Sequence, residues 1–288
     1  MCVMGLKRHE REDMKHLLNL LAAIALLIWG MHLVRTGVLR VFGANLRAWL
    51  ARSLGNRFTA ALSGMGVTAL VQSSTATALM TASFVGQGLI SLPAALAVMR
   101  GADIGTALMA VLLSLDLSWL SPMFIFVGVV LFIARQAQTA GRVGRIFIGL
   151  GLMLLALERI VQAGDPILAS PVTPVVLDAM GNDLLAEILI GAVLAIVSYS
   201  SLAVVLLVAA MAASQVVPVQ MALGLVLGAN LGNGLAAVLT MAGSTTEVRQ
   251  VMVGNLTFKV LGVALMAPFV GLWLRYVQPH MPGVAHGV

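Results

Sequence analysis

Charged residues are scarce in this sequence. Asp, Glu, Lys and Arg together make up 10% of the 288 residues, whereas hydrophobic residues make up 60%, and the mean hydropathy is +1.02. Soluble domains carry roughly 25% charged residues. The scarcity of charge therefore excludes an ordinary soluble domain and indicates a chain whose main solvent is lipid.

Cysteine and histidine are scarce as well, which limits the chemistry of the chain. The single cysteine, Cys2, excludes intramolecular disulfides and says nothing about the redox compartment. No histidine lies between His32 and His280. An intramembrane hydrolase would need a nucleophile with a base, or a pair of carboxylates. We therefore predict that the protein is not an enzyme.

Two long stretches contain no charge at all. Arg57 and Arg100 are separated by 42 uncharged residues, and Glu187 and Glu247 by 59. About 20 apolar residues suffice to cross a bilayer, so each stretch holds more than one membrane segment. The apolar run 16–34 is followed by no small-residue cleavage site, and we interpret it as a retained helix rather than a signal peptide. These features predict an all-α, multi-pass protein of the plasma membrane, which in a Gram-negative cell is the inner membrane.

The formal net charge is +6, although the cations form no nucleic-acid footprint. They sit in short clusters beside apolar runs, with no basic stripe interleaved with aromatic residues. Membrane orientation explains such clusters better. We predict membrane lipid as a partner and no nucleic acid.

The sequence contains an internal repeat. A shift of 127 positions lays residues 64–112 over 191–239 without a gap, and 15 of those 49 positions are identical. Two unusual clusters align together, pairing Gln72–Ala76 with Tyr199–Ala203, and Gly101–Thr106 with Gly228–Asn233. A repeat architecture follows.

Each repeat is predicted to have three spanning helices and one re-entrant helical hairpin. Repeat 1 (16–134) has predicted spans at 16–34, 92–114 and 118–134 and a hairpin at about 58–88. Repeat 2 (146–275) has predicted spans at 146–163, 217–241 and 252–274 and a hairpin at about 184–214. The remaining segments are an N-terminal tail (1–15), a basic loop (135–145), a proline-containing linker (164–183) and a C-terminal tail (276–288). An odd number of crossings in each half gives the two repeats inverted topology.

The arginines bear on membrane orientation. The positive-inside rule puts on the cytoplasmic face Arg35, Arg40, Arg47, Arg52, Arg57, Arg135, Arg142 and Arg145, with Asp165, Asp178 and Asp183 opposite. The N-terminal cations Lys7, Arg8, Arg11 and Lys15 then lie outside, against the rule, so the orientation stays open. The segment from Val38 to Phe58 fits either an amphipathic helix in the membrane interface or a basic linker helix.

Hydroxyl residues are concentrated in the first predicted hairpin. Nine lie between Thr59 and Ser83. An isolated hydroxyl in a membrane helix usually bonds back to the helix or joins two helices. Gln72 to Thr75 are consecutive, however, and would point around the whole circumference of a helix. This pattern favours a break whose side chains and freed backbone groups line a cavity.

The glycine clusters combine a packing signal with a charge. Gly101 and Gly105, like Gly228 and Gly232, have the small-xxx-small spacing that lets helices approach closely. Packing alone does not require Asp103 between the first two. A carboxylate in a membrane span is costly, and it is a functional candidate by default. The alternative is a simple ion pair with Arg100, one helical turn earlier.

These residues resemble, in kind and order, the type II sodium:phosphate cotransporter family. The halves of that family each carry a Gln-Ser-Ser-Ser hairpin motif followed by a Gly-Ala-Asn-Ile-Gly-Thr-type segment. The resemblance covers most of residues 20–275, including Asn56-Arg57 and Gly254–Lys259. It implies sodium-coupled symport of inorganic phosphate, with Na⁺ as the coupling ion and no cofactor or other metal. The sequence ends at Val288, without the soluble helical domain of many bacterial relatives, and we expect regulation through it to be absent.

The resemblance also implies roles for individual residues. Phosphate is expected to bind Gln72, Ser73, Ser74, Thr75, Tyr199, Ser200 and Ser201. Sodium is expected to bind Asp103, Thr106, Asn230 and Asn233, whose oxygens suit a hard cation. Tyr199 and Leu202 stand where the family motif has Gln and Ser, which puts the exact anion in doubt. Neither hairpin core contains Lys or Arg, so an anion would depend on hydroxyls, amides, helix N-termini and bound cations.

Other transport functions remain open at this point. The same chemistry suits an exporter, or a carrier of another anion, and a channel is the less favoured alternative. The sequence fixes neither direction, sodium stoichiometry nor affinity, and it leaves open whether the chain forms a homo-oligomer.

Overall fold

The computed structural model describes residues 2–135, 138–164 and 183–276, and the regular secondary structure in these ranges is helical throughout. The helices are α1 Cys2–Arg52, α2 Arg57–Val71, α3 Ser74–Gly86, α4 Leu92–Ser114, α5 Ser121–Ala134, α6 Thr139–Gln162, α7 Leu184–Ser198, α8 Ser201–Ala213, α9 Val219–Thr240 and α10 Thr246–Tyr276. Short 3₁₀ turns precede α2 (Ser53–Gly55) and α5 (Ser118–Leu120). Pro166, Pro171 and Pro174 of the predicted linker, and the predicted tail after Tyr276, lie outside the described residues.

Five of the described helices are long and apolar enough to cross a membrane. They are Met14–Arg52, Leu92–Ser114, Thr139–Gln162, Val219–Thr240 and Thr246–Leu272. The predicted all-α, multi-pass architecture is thereby confirmed. The crossing predicted at 118–134 is shorter, because α5 has 14 residues. At 1.5 Å per residue it extends about 21 Å, against a hydrocarbon core of about 30 Å.

Helix α1 is longer than predicted. The predicted tail, the first span and the basic segment beyond Val38 form one helix that ends only at Arg52. No proline precedes Pro93, so nothing in the sequence stops this helix. A Cβ added at Gly30 would lie 2.8 Å from the carbonyl oxygen of Gly149 in α6, and one added at Gly149 would lie 2.6 Å from that of Gly30. Backbone contact between α1 and α6 holds the long helix against the bundle.

Each predicted hairpin is a pair of short helices. Helices α2 and α3 have 15 and 13 residues, and α7 and α8 have the same two lengths. Adding 127 to the bounds of α2 and α3 gives the bounds of α7 and α8. Such helices are about 20–22 Å long, too short for a full crossing. The repeat seen in the sequence is therefore a repeat of local structure as well.

The glycine clusters bring each hairpin against its long helix. Helix α2 packs on α4, and α7 packs on α9. A Cβ added at Gly101 would lie 1.8 Å from a backbone carbonyl oxygen of α2, and one at Gly228 would lie 2.0 Å from a carbonyl oxygen of α7. One turn further along, a Cβ added at Gly105 or Gly232 would lie 2.4 Å or 2.2 Å from a carbonyl oxygen of the same hairpin helix. No side chain fits at these positions, and the close approach brings the polar residues of α4 and α9 to the hairpins.

Candidate functional site

The two hairpins break at repeat-equivalent residues. Gln72 ends α2 at φ 54°, and Tyr199 ends α7 at φ 51°, both in the left-handed region that non-glycine residues seldom adopt. The serine after each break is extended and caps the next helix. Ser73 Oγ accepts from the backbone N–H of Ala76 at 3.2 Å, and Ser200 Oγ accepts from that of Ala203 at 3.1 Å. Backbone strain of this kind concentrates at functional sites.

The two breaks face each other across one small cavity. It has room for about one water molecule, about 10 Å³, and is lined by Gln72, Ser73, Ser74, Thr75, Thr106, Tyr199, Ser200, Ser201, Leu202 and Asn233. The structure thus brings together all seven residues predicted to bind phosphate, with two of the four predicted to bind sodium. Helices α3 and α8 begin at this cavity, and the first backbone N–H groups of a helix have no partner within it. The site can donate hydrogen bonds from two helix N-termini.

Asn233 joins the first hairpin to the second half. Thr75 Oγ1 donates to Asn233 Oδ1 at 2.8 Å, and Asn233 Nδ2 donates to Ser74 Oγ at 2.9 Å. Asn233 is buried. Its amide was predicted to bind sodium, and here it holds the start of α3 against α9. Within α2 and α3, a 2.7 Å hydrogen bond between the hydroxyls of Thr68 and Thr77 fixes the two arms of the hairpin.

Two polar atoms at the cavity make no hydrogen bond to the described residues. Gln72 is buried, and its Oε1 has no hydrogen-bond partner among the described residues. The Ser201 hydroxyl likewise has no hydrogen bond within the part of the chain that the structure describes, whereas its counterpart Ser74 accepts from Asn233. An unsatisfied buried polar group is costly. Both atoms are therefore free to bind a ligand.

Asp103 lies between two cations. Its Oδ2 is 3.0 Å from Arg100 Nη2, and its Oδ1 accepts from Lys259 Nζ at 2.7 Å. Lys259 Nζ also donates to Asn230 Oδ1. Asp103 and Asn230 occupy equivalent positions of the two repeats, so Lys259 bridges the repeat-related pair. Both residues were predicted to bind sodium, and both here bind the ammonium of Lys259.

Helix α10 supplies the partners of Asp103 and Arg100. Arg100 Nη2 donates to Asn255 Oδ1, and its guanidinium lies 4.9 Å from the centre of the Phe258 ring. Asn255, Phe258 and Lys259 belong to the segment Gly254–Lys259, for which the sequence predicted no role in the site. Its signal was present: a lysine inside an apolar helix is a functional candidate by default. Lys259 is 2% exposed, so its charge depends on Asp103 and Asn230.

A second cavity adjoins the first on the side of α1. It has about 530 Å³ of empty space and is lined by Ile28, Met31, His32, Arg35, Gln72, Ser73, Ser198, Tyr199, Ser200 and Ala203. Arg35 was predicted to lie in a cytoplasmic basic cluster. The structure places it within α1, beside both hairpin breaks.

The family model described as Na⁺/Pi-cotransporter matches residues 26–162 and 168–285. The chain belongs to the Na⁺/Pi-cotransporter family. The match includes both hairpins, α4, α9 and the Asn255–Lys259 segment. It confirms the family resemblance drawn from the hairpin motifs. Together with the five long apolar helices, it also confirms a multi-pass protein of the plasma membrane.

Curated relatives in this family are named for transport. The chain is 53% identical over 256 residues to a protein of Escherichia coli O157:H7, and 52% identical over 254 residues to one of Salmonella typhimurium strain LT2. Both are named "Putative inorganic phosphate export protein YjbB". The matches cover 89% and 88% of this chain and 47% of each relative, so the chain spans about half the length of these relatives. The family and relatives are named as transporters, not enzymes.

A more distant relative matches over nearly its whole length. The protein named "Uncharacterized protein YqeW" of Bacillus subtilis strain 168 is 22% identical over 275 residues, which are 94% of this chain and 88% of the relative. No solved structure matches.

Proposed function

We propose that the protein carries inorganic phosphate across the membrane by sodium-coupled symport, with the anion bound between the two hairpin breaks. The observation that carries the proposal is the single cavity lined by Gln72–Thr75 and Tyr199–Ser201. Family membership supports phosphate as the substrate. The space that the centre of a water molecule can reach in this cavity is about 10 Å³, room for about one water, so phosphate entry requires the hairpins to move.

The cavity has the donors that an oxyanion needs. Two helix N-termini point their free N–H groups at it, and such ends attract anions. Ser201 adds a hydroxyl without a partner among the described residues. These groups bind any tetrahedral oxyanion of the right size, so they do not by themselves select phosphate.

Gln72 offers a basis for selecting phosphate over sulfate. Its Oε1 is a buried acceptor without a partner in the described part of the chain. Near neutral pH, phosphate carries at least one proton and can donate to this oxygen, whereas sulfate carries none. A site that leaves a buried acceptor unpaired with the wrong ligand rejects that ligand strongly.

We further propose that the two halves have inverted topology and alternate access to the site. Repeat-related hairpins with equal helix lengths support this arrangement, because transporters of this design place substrate between repeats at mid-membrane. Large apolar side chains exposed on the bundle, such as Phe126, Ile133 and Leu185, would face lipid. Sequence and structure leave the oligomeric state open.

Sodium coupling has two sets of proposed ligands. Thr106 and Asn233 line the phosphate cavity, where a cation would offset the charge of the anion. Asp103 and Asn230 are held by Lys259 in this conformation. We propose that sodium reaches these two oxygens only after Lys259 has moved away, so that sodium and the ammonium exchange as the carrier loads.

Export is the second candidate, because relatives more than 50% identical are named for it. A symporter runs in the direction that the combined gradients favour, so export and import differ in driving force rather than in the site.

Purified protein in liposomes tests these points together. We expect labelled phosphate to enter faster with an inward sodium gradient than with equal sodium on both sides, and unlabelled phosphate to compete while sulfate does not. Gln72→Ala should reduce that discrimination. Phosphate flux equal to that of empty liposomes would reject the proposal, and sodium-independent phosphate flux would reject the coupling alone.

A further inference from the structure

Arg35 lies on α1 beside both hairpin breaks and has no polar partner among the described residues. The hairpin breaks are proposed to lie near mid-membrane, which puts Arg35 at the same depth, and its guanidinium has no hydrogen bond or ion pair among the described residues. An arginine in such a position is costly unless it is paired or hydrated, and it marks ion or substrate pathways. No carboxylate among the described residues pairs with it. Its position indicates a ligand.

The surroundings of Arg35 identify the kind of ligand. Its cavity is shared with Gln72, Ser73, Tyr199 and Ser200, which also line the proposed phosphate cavity. The hairpins contribute no cation there. A guanidinium binds phosphate oxygens bidentately and is the side chain best suited to this purpose.

Arg35 also lines a wider cleft that leads away from the site. This cleft lies between α1 and α3, has about 1210 Å³ of empty space, and includes Arg47, Ala76, Ser83 and Gln87. Arg35 is the one residue common to the cleft and to the cavity beside the hairpin breaks. Its described lining has two arginines and no acidic residue, so its field attracts anions.

The repeat-related cleft has the opposite charge. Leu79 and Ser83 of α3 line the cleft of the first half, and their counterparts Leu206 and Ala210 of α8 line a cleft between α6 and α8. Among the described residues, that second cleft is lined by Asp116 and Glu158 and by no basic side chain. An anion is therefore attracted along one side of the repeat pair and repelled along the other.

We propose that Arg35 binds the transported anion at the mouth of the hairpin site, and that the cleft between α1 and α3 is the route by which the anion reaches it. The proposal rests on the proposed function for the identity of the anion, phosphate. It assigns the anion pathway to α1, a helix outside both hairpins.

Transport kinetics test the role of Arg35. Arg35→Gln keeps a polar side chain but removes the charge, and we expect the KM for phosphate to rise about 10- to 100-fold, the size of a lost charge-assisted hydrogen bond. Arg35→Lys keeps the charge without the bidentate geometry, and its KM should lie between those of the unsubstituted protein and Arg35→Gln. Arg40→Gln is the matched control, because Arg40 is exposed on the same helix and lines neither cavity; its KM should not change. An unchanged KM in folded Arg35→Gln would overturn the proposal.

A labelling experiment tests the charge of the cleft without using phosphate. Leu79 lines the cleft and is part-exposed, and Leu79→Cys in a Cys2→Ser background gives a single thiol there. We expect a negatively charged methanethiosulfonate to react faster than a positively charged one, relative to their rates with a free thiol, and Arg35→Gln to abolish most of that preference. A thiol that prefers the cationic reagent with Arg35 present would overturn the proposal even if Arg35→Gln does not fold.

The two experiments separate the two hypotheses. Charge preference that depends on Arg35, without phosphate transport, would reject phosphate as the substrate and retain Arg35 as an anion ligand. Phosphate transport in which Arg35→Gln alters neither the KM nor the labelling would retain phosphate as the substrate and reject Arg35 as its ligand.

Discussion

Lys259 Nζ donates a 2.7 Å hydrogen bond to Asp103 Oδ1, across 156 positions of the sequence. The ammonium side chain is 1% exposed and the carboxylate side chain 21%. Arg100 also pairs with Asp103, so one anion compensates two cations between α4 and α10. The cluster keeps a net positive charge on α4 and α10, close to a site proposed to bind an anion.

The first prediction concerns the stability of this pair. Asp103→Asn leaves the buried ammonium of Lys259 without its carboxylate, and it should destabilise the protein by about 3 kcal/mol. Lys259→Met should destabilise the protein less, because Asp103 keeps its ion pair with Arg100. The double variant should recover part of the loss, giving a coupling energy above about 1 kcal/mol in chemical unfolding in detergent micelles. Strictly additive effects would show that the two side chains do not interact.

The second prediction concerns sodium. If sodium and Lys259 compete for Asp103 and Asn230, Lys259→Met should lower the sodium concentration for half-maximal phosphate transport, because the competing ammonium is gone. Asp103→Asn should raise it, because a fixed negative charge attracts a cation strongly in a low-dielectric site. Lys15→Met, an exposed lysine near the start of α1, is the control. Equal sodium dependence in all four proteins would remove Asp103 from the sodium site.

The third prediction separates the two equivalent serines. Ser201→Ala removes a hydroxyl without a partner in the described residues, so phosphate affinity should fall while the unfolding temperature stays unchanged. Ser74→Ala also strands Asn233 Nδ2, and it should lower both affinity and stability, the latter by about 1–3 kcal/mol. Isothermal titration and thermal unfolding of the two variants measure the difference. Equal losses of stability in the two variants would contradict the different hydrogen bonding of Ser74 and Ser201.

The fourth prediction tests inverted topology. Gln87 follows α3, and Gln215 follows α8 near the equivalent point of the second half. Gln87→Cys and Gln215→Cys, each in a Cys2→Ser background, should react with a membrane-impermeant maleimide from opposite sides. Gly88 is avoided, because its φ of 71° disfavours any side chain. Labelling of both cysteines from the same side only would exclude the inverted arrangement.

The sequence by itself determined the membrane class and the repeat of the two hairpins. Both depend on local physics. Lipid offers backbone groups no hydrogen bonds, so long apolar runs form helices, and a break is tolerated only where it is covered by protein or lines a cavity. The consecutive polar residues Gln72–Thr75 mark such a break, and the 127-residue shift carries it to Tyr199. The helix bounds follow this shift at both hairpins.

The tertiary structure alone decided which charges meet. The sequence marks Lys259 as a lysine inside an apolar helix without showing its partners, and it shows Arg35 only as one arginine of a basic cluster. The lysine's partner lies 156 positions away, and Arg35 lies beside the hairpin breaks because α1 continues as a helix past residue 34, the predicted end of the first span. Glycine-lined contacts between helices set these juxtapositions, because they fix which face of each helix turns inward. Periodicity along one chain segment does not specify the neighbour that such a face will meet.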